Sequence, residues 1–282
     1  MIVHLISLQK RSAIFAQRSP LHRPKFLLFS VILLTTLLIT ACSGETTPEE
    51  PIDPLALVTE SAENIRNASA FRLTVDQVGP DYEIFTDYGT VIFRRAQAQY
   101  APPGEMQAAI RVIAAGLPLD IDVFSRGDDQ WYRAIWTANQ WINQYFQPGF
   151  NPASLIAEDT GFQSALNAII DLEFLGEVQL ESGVNTYHLR GTADGEDVRA
   201  LLVDLIMTYG NVVVDVYVDI ENRVPARIVL NEQVAITNSD GSAGVEDREW
   251  LIDIYDVNQP VTFDDPEAGN AEATLEVTDE AE

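Results

Sequence analysis

Residues 117–134, LPLDIDVFSRGDDQWYRA, decide the expected fold. Leu119, Ile121 and Val123 alternate with acidic or polar side chains, and this period of two predicts a strand with one buried face. The turn residues Arg126-Gly127-Asp128-Asp129 come next, and a second strand-like run follows them. A polar turn between two such runs predicts an antiparallel hairpin.

The same alternation recurs along most of the chain. Phe71, Leu73 and Val75 alternate with polar residues and predict another half-buried strand. About eight to ten strands joined by tight turns predict a meander, which curls as it twists. The other strands are expected at 82–95, 106–115, 130–136, 173–180, 184–192, 212–220, 224–237 and 246–257.

Helical patterns interrupt the strands in three places. Residues 54–67 carry apolar side chains at helical spacing. Asn151-Pro152 is typical of a helix start, and Gly161 divides the helical region that follows. Asp194–Tyr209 has the clearest apolar stripe and predicts an amphipathic helix. The expected fold class is therefore α+β, with a curved antiparallel sheet covered by helices.

The N-terminus predicts a lipoprotein. Five basic residues precede the apolar run Phe26–Ile39, which is 14 residues long. As a helix this run would extend roughly 21 Å, too short for a ~30 Å hydrocarbon core, so residues 1–41 are interpreted as a signal peptide. Cys42, the only cysteine, follows directly and is expected to carry a diacylglycerol. The alternative is an ordinary signal peptide with a chance cysteine.

We expect three segments after the signal peptide. Residues 42–53 are expected to be the acylated cysteine and a flexible tether, and residues 54–262 form the folded domain. Residues 263–282 contain eight acidic side chains and no basic one, which predicts a solvated, disordered tail. The lipid anchor would hold the domain on the extracytoplasmic face of a bacterial cell membrane.

The charge of the chain limits its partners. The chain has 43 acidic and 17 basic residues, and the leader holds five of the basic ones. The remainder keeps 12 basic residues, a formal charge of −31, and contains no lysine. Nucleic acid and anionic lipid surfaces are therefore disfavoured as partners, and lysine chemistry is excluded after processing. Alternatively, the acidity only serves solubility or adaptation to an ionic or acidic habitat.

The sequence offers little for catalysis. His188 is the only histidine after the leader, so no usual zinc site or Cys-His dyad is expected, and no Gly-x-Ser-x-Gly occurs. The pairs Asp120/Asp122 and Asp215/Asp219 lie at strand spacing and offer two carboxylates for glycoside hydrolysis. Such pairs arise by chance in an acidic chain. We therefore expect no enzyme, no cofactor and no metal.

The buried face of the sheet permits two interpretations. A filled core is the default because protein interiors are close-packed, whereas a curved sheet under helices can leave an apolar cleft. Strand alternation and the 194–209 stripe give the positions that would line such a cleft: Phe71, Leu73, Val75, Leu119, Ile121, Val123, Leu155, Phe162, Leu166, Leu201, Leu205, Ile206, Tyr209, Val214 and Val216.

A family resemblance favours the cleft. Residues 141–192 resemble the LppX/LprA/LprF/LprG family of cell-envelope lipoproteins, through Phe150-Asn151-Pro152-Ala153-Ser154-Leu155-Ile156, the run 161–170, and the strand Thr186-Tyr187-His188-Leu189-Arg190-Gly191. The order of elements fits the family over about 54–258. The acidity, the absence of lysine after the leader and the acidic tail depart from it.

The resemblance implies a half-barrel of strands over helices, a shape shared with the LolA/LolB carriers. It also implies a hydrophobic cavity that holds the acyl chains of a lipid or glycolipid, which the protein would carry or present. A transporter of the cell envelope is a further expected partner. The alternative function is a non-catalytic interaction module whose core is filled and whose acidic surface docks a partner.

Overall fold

The structure is a computed structural model that describes residues 51–86, 89–145, 150–203, 205–238 and 240–268. The predicted signal peptide and Cys42 lie outside these residues, as does most of the tether. The chain from Ile52 onward forms one compact unit.

The described part of the chain contains twelve strands and two α-helices, besides the helical residues 266–268 near its end. The helices are α1 (Pro54–Arg66) and α2 (Phe162–Asn167), with 3-10 turns at Ile135–Thr137, Pro152–Ile156 and Arg199–Leu202. The strands are β1 (Phe71–Val78), β2 (Tyr82–Thr86), β3 (Gly89–Ala101), β4 (Glu105–Ala114), β5 (Leu117–Arg126), β6 (Asp129–Ala134), β7 (Ile142–Asn143), β8 (Ile170–Gln179), β9 (Asn185–Asp194), β10 (Asn211–Asp219), β11 (Pro225–Thr237) and β12 (Ala243–Tyr255).

All the strands belong to one antiparallel sheet in the order β7-β6-β5-β4-β3-β1-β12-β11-β10-β9-β8, with β2 paired to β3. β1 lies between β3 and β12, so it joins the N-terminal and C-terminal meanders. The sheet does not close, and β7 and β8 form its edges. This architecture confirms the predicted α+β class and the open, curved antiparallel sheet.

The inner face of the sheet packs against the helices. α1 begins at Pro54, where the Asp53 carboxylate accepts hydrogen bonds from the backbone N–H groups of Leu55 and Ala56 at 3.0 and 3.3 Å. The buried residues of α1 include Leu57, Val58, Ala62 and Ile65. α2 packs beside α1, and its Phe162 meets Phe71 of β1 edge-on at 6.0 Å. α1 thus covers part of β8, β10 and β11, and α2 covers the start of β1.

Several predicted elements differ from the structure. Residues 82–95 form parts of two paired strands, and the described strands number twelve rather than eight to ten. The amphipathic helix predicted for Asp194–Tyr209 is wrong: β9 continues to Asp194, and only Arg199–Leu202 forms a 3-10 turn. Val198, Leu201, Leu202 and Ile206 of this segment remain buried, because a concave sheet can cover them without a regular helix, whereas Tyr209 is exposed.

The first residues of the expected solvated tail lie on the outer face of the sheet. We call residues 260–268 the strap. Phe263 packs against Phe124 with ring centroids 5.8 Å apart. Asp265 pairs with Arg126 at 2.9 Å, and Asp264 pairs with Arg133. The strap is held because the outer face offers arginines and an aromatic surface to its acidic and apolar side chains; residues 269–282 lie outside the described part.

Candidate apolar ligand site

An apolar pocket lies between the inner face of the sheet and the segment that follows β9. All thirteen lining residues are apolar: Leu73, Val75, Ile84, Phe93, Ala96, Ala98, Met106, Ala108, Ile110, Leu202, Val203, Leu205 and Ile206. The first nine belong to β1–β4 and form the floor, and the last four form the cover. Such a surface favours an apolar ligand over a polar one.

Small side chains make room at the floor. Ala98 of β3 lies opposite Leu73 of β1 on one side and opposite Ala108 of β4 on the other. Ala96 likewise lies opposite Val75. Three alanines at the centre of a wide sheet leave space that leucine or valine would fill.

We call the described residues 198–203 and 205–209 the cover segment. Its 3-10 turn ends at Val203, whose φ of +59° is left-handed. This backbone conformation is strained for a β-branched residue, at a typical cost of ~1–3 kcal/mol. The Nε atom of Arg199 is buried and has no hydrogen-bond partner among the described residues. The cover is therefore less favourably arranged than the strands beneath it.

Two polar contacts hold the far end of the cover segment. The backbone N–H of Met207 donates to Tyr82 Oη at 3.0 Å, and the Thr208 hydroxyl donates to the Gly195 carbonyl at 2.8 Å. A Cβ atom on Gly195 would lie 2.8 Å from the Thr208 carbonyl carbon, so only glycine permits this approach. These contacts close the pocket from the side of β2 and the end of β9.

The pocket is small in this closed arrangement, about 80 Å³. A cavity of ~150 Å³ accepts benzene, and pockets for drug-sized ligands typically measure ~300–1,000 Å³. An acyl chain is larger than this space and would fit only in an enlarged pocket.

The predicted cavity residues fall into three groups. Leu73, Val75, Leu205 and Ile206 line the pocket. Tyr209 is 63% exposed, and Leu119 and Ile121 are partly buried. The others are buried in the core without lining the pocket: Phe71, Val123, Leu155, Phe162, Leu166, Leu201, Val214 and Val216.

Nine lining residues are absent from the sequence-based set. They come from β2, β3, β4 and the cover segment: Ile84, Phe93, Ala96, Ala98, Met106, Ala108, Ile110, Leu202 and Val203. The alternation of Met106, Ala108 and Ile110 was a usable signal for an inward face. The two alanines of β3, by contrast, are visible as space only once β1 and β4 flank them.

Two larger cavities have linings that mix polar and apolar residues. A groove of about 540 Å³ lies beneath the strap on the outer face, beside Gln99, Gln107 and Asp122. A depression of about 810 Å³ lies where α1 ends, beside Asn64, Asp219 and Asn258. Size alone favours these cavities, but the amide and carboxylate groups among their lining residues do not suit acyl chains.

The carboxylates considered for catalysis have structural partners. Asp120 pairs with Arg111 at 2.8 Å, and its pKa is lowered by this hydrogen bond. Asp122 pairs with Arg133 at 2.8 Å, and Asp219 accepts from the backbone N–H groups of its own turn. The two pairs lie on the outer face or at a turn, away from the apolar pocket.

His188 also has structural contacts. Its Nε2 atom lies 2.6 Å from Asp215 Oδ1, and its ring stacks on Tyr217 with centroids 4.3 Å apart. Arg190 binds both oxygens of the Asp215 carboxylate at 2.8 and 3.1 Å. This cluster ties β9 to β10 on the outer face. The described residues contain no group of three His, Cys, Asp or Glu side chains suited to a metal ion.

Across the described part of the chain, no helix is both long and apolar enough to cross a membrane. Sequence comparison with curated proteins gives no match.

Known structures are similar to this chain in fold. LprF from Mycobacterium bovis has a TM-score of 0.55 at 12% identity, with 76% of this chain and 96% of LprF covered. LppX from Mycobacterium tuberculosis has a TM-score of 0.49 at 14% identity, with 74% of this chain and 97% of LppX covered. At these identities the likeness to LprF concerns the fold alone.

The family comparison supports membership of a family and not only a shared fold, because it compares the sequence of the whole domain. The LppX_LprAFG lipoprotein family matches residues 53–263, which is three quarters of the chain. The match includes α1, every strand and the start of the strap. The chain therefore belongs to the LppX_LprAFG lipoprotein family.

Proposed function

We propose that this protein is a membrane-tethered, non-enzymatic lipoprotein that binds an acyl lipid or glycolipid in the apolar pocket and carries or presents it in the cell envelope. Cys42 would bear the lipid anchor on the extracytoplasmic face of a bacterial membrane. The observation that carries the proposal is the pocket itself, whose thirteen lining residues are all apolar.

Binding would proceed by partition. An acyl chain exposed to water costs about 0.8 kcal/mol per methylene, whereas transfer between a bilayer and a dry apolar pocket is nearly neutral. The cover segment would move outward, lengthen the pocket along the alanines of β3 and β4, and leave the polar headgroup at the mouth. The strained Val203 and the unpaired Arg199 Nε lower the cost of this movement.

The predicted tether fits a local role. Nine residues lie between Cys42 and Ile52, where the compact unit begins, and the ten steps of chain span at most ~36 Å when extended. The domain would thus remain near the membrane that supplies or receives the lipid.

A second candidate function is a non-catalytic interaction module with a filled core. The closed pocket of about 80 Å³ favours it, because no acyl chain fits without movement. In that case the acidic outer surface would dock a protein partner.

Two adjacent alanines of β4 provide the test. Ala108 faces the pocket and is 5% exposed, whereas Ala109 is exposed on the outer face. We expect Ala108→Leu to weaken binding of a fluorescent fatty-acyl probe by residues 52–282 at least tenfold, because the added methyl groups occupy the space of the chain. Ala109→Leu should bind the probe with the same affinity as the unchanged protein.

Circular dichroism and urea unfolding must show that both variants are folded. Equal probe binding by the two variants would contradict the pocket assignment. Absence of probe binding by the unchanged protein would favour the interaction module.

A further inference from the structure

Four large apolar side chains stand exposed near one end of the sheet, on β2, at the start of β5 and in the 3-10 turn after β6. Phe85 is 80% exposed, Leu117 64%, Ile135 72% and Trp136 54%. We call these four residues the apolar tip. Exposed apolar side chains that occur singly need no explanation, but a group of them marks an interaction surface.

The strand register places the apolar tip at one end of the sheet. Ile84 of β2 lies opposite Val91 of β3, Val91 lies opposite Ala114 of β4, and Ala114 lies opposite Leu117 of β5. Adjacent strands are ~4.8 Å apart, so Phe85 and Leu117 lie on the same rim, three strands and about 14 Å apart. Leu117 shares a face with Ile84, so Phe85 projects from the opposite face of this rim.

β6 brings the other two residues of the tip to this rim. Ala134 lies opposite Ile121 of β5, and the 3-10 turn Ile135–Thr137 then continues toward the Leu117 end. The four side chains therefore lie at the same end of one meander, on β2, at the start of β5 and in the turn that follows β6.

Charged residues are absent around Leu117, Ile135 and Trp136, although Glu83 and Asp87 flank Phe85 in the sequence. Residues 134–141, which include the 3-10 turn after β6, contain no charged residue. Residues 112–119 also contain none, and the flanking Arg111 and Asp120 pair with each other. Removing an unpaired charge from water is costly, so a surface that becomes buried on binding is expected to carry none.

The apolar tip adjoins the pocket. Ile84 lines the pocket and directly precedes Phe85. Ile110 also lines the pocket, and it lies opposite Ile121 on the strand that begins with Leu117. The pocket and the apolar tip thus share the β2–β5 end of the sheet.

We propose that the apolar tip docks on the surface of a lipid bilayer of low net charge and inserts into its headgroup boundary. The proposal rests on the proposed function, since docking there would bring the pocket to the acyl chains. Trp136 suits this depth, because tryptophan favours the membrane–water interface. The formal charge of −31 opposes an anionic surface, so electrically neutral lipids are the expected target.

Vesicle binding tests this proposal. Residues 52–282 would be mixed with phosphatidylcholine vesicles and followed by co-sedimentation and by quenching of tryptophan fluorescence with brominated phosphatidylcholine. We expect binding with quenching of Trp136, the most exposed of the four tryptophans. The double variant Leu117→Asp/Ile135→Asp should lower the partition coefficient at least tenfold.

The control is Val178→Asp. Val178 is also exposed, but it lies opposite Thr186 beside the β8–β9 turn, toward the other end of the sheet. This variant should change partition less than twofold, and adding phosphatidylglycerol to the vesicles at low salt should weaken binding. Undetectable partition of the unchanged protein, or equal loss in the control, would overturn the proposal and point to a protein partner.

The two experiments can reject the proposed function and the proposed docking surface independently. Ala108→Leu should lose the fatty-acyl probe yet still bind vesicles, whereas the tip variant should bind the probe in solution yet lose the vesicles. Probe binding without vesicle binding would overturn only the docking surface, and vesicle binding without probe binding would overturn only the proposed function.

Discussion

The phenol oxygen of Tyr82 accepts a hydrogen bond of 3.0 Å from the backbone N–H of Met207. Tyr82 also packs edge-on against the buried Trp250, with ring centroids 5.2 Å apart. One residue of β2 therefore connects the core of the sheet to the segment that closes the pocket.

Replacing Tyr82 by phenylalanine should loosen the cover segment. The ring contact with Trp250 is kept, but the Met207 N–H loses its acceptor at a cost of about 1 kcal/mol. Stopped-flow mixing with a fatty-acyl probe should show faster uptake than in the unchanged protein. An unchanged uptake rate would mean that this segment does not control access.

Replacing Glu232 by leucine should destabilise the domain by about 3 kcal/mol. The Glu232 side chain is 4% exposed and accepts from Trp250 Nε1 at 2.9 Å and from Arg248 at 3.2 Å. The substitution leaves both donors without this acceptor, although Arg248 keeps the carbonyls of Pro80 and Asp81.

Urea unfolding measures this loss. Glu246→Leu, at an exposed position on the neighbouring strand β12, is the matched control and should leave the midpoint unchanged. Equal midpoints for the two variants would show that the buried carboxylate contributes no stability.

The strap should detach in acid. The pKa of Asp265 is lowered by the backbone N–H of Glu267, at 2.9 Å, and then by Arg126. Because the folded pKa is the lower one, the stabilisation is complete above the ordinary aspartate pKa of ~3.9 and is lost as pH falls through the folded value.

Hydrogen exchange of residues 260–268 measures this detachment. Protection should fall below about pH 4 while the sheet remains protected. Asp265→Asn should remove the protection at neutral pH as well. Protection that stays constant to lower pH in the unchanged protein would contradict the role of this carboxylate.

The sequence predicted the strands well because one face of each is buried. Leu119, Ile121 and Val123 alternate with polar residues, and β5 spans Leu117–Arg126 as this pattern indicates. The hairpin at Arg126–Asp129 and the helix that begins at Pro54 are also confirmed. In these elements the periodicity, the turn residues and the helix cap all favour the same structure.

The cover segment and the strap were missed for physical reasons. Helix propensities differ by less than about 1 kcal/mol per ordinary residue, so packing of Leu201 and Ile206 into the concave sheet overrides a helical stripe. For the strap, composition indicated a solvated tail, because its partners Arg126 and Arg133 lie more than a hundred residues earlier in the chain. The pocket depends on neighbours across three strands, which no local pattern reveals.

The most direct measurement of the central claim is native mass spectrometry of residues 52–282 purified without detergent, followed by organic extraction and lipid analysis. The account predicts an acyl lipid bound at near one-to-one stoichiometry in the unchanged protein and in Ala109→Leu, and its loss in folded Ala108→Leu. A lipid-free mass that stays unchanged after incubation with membrane lipids would contradict the account.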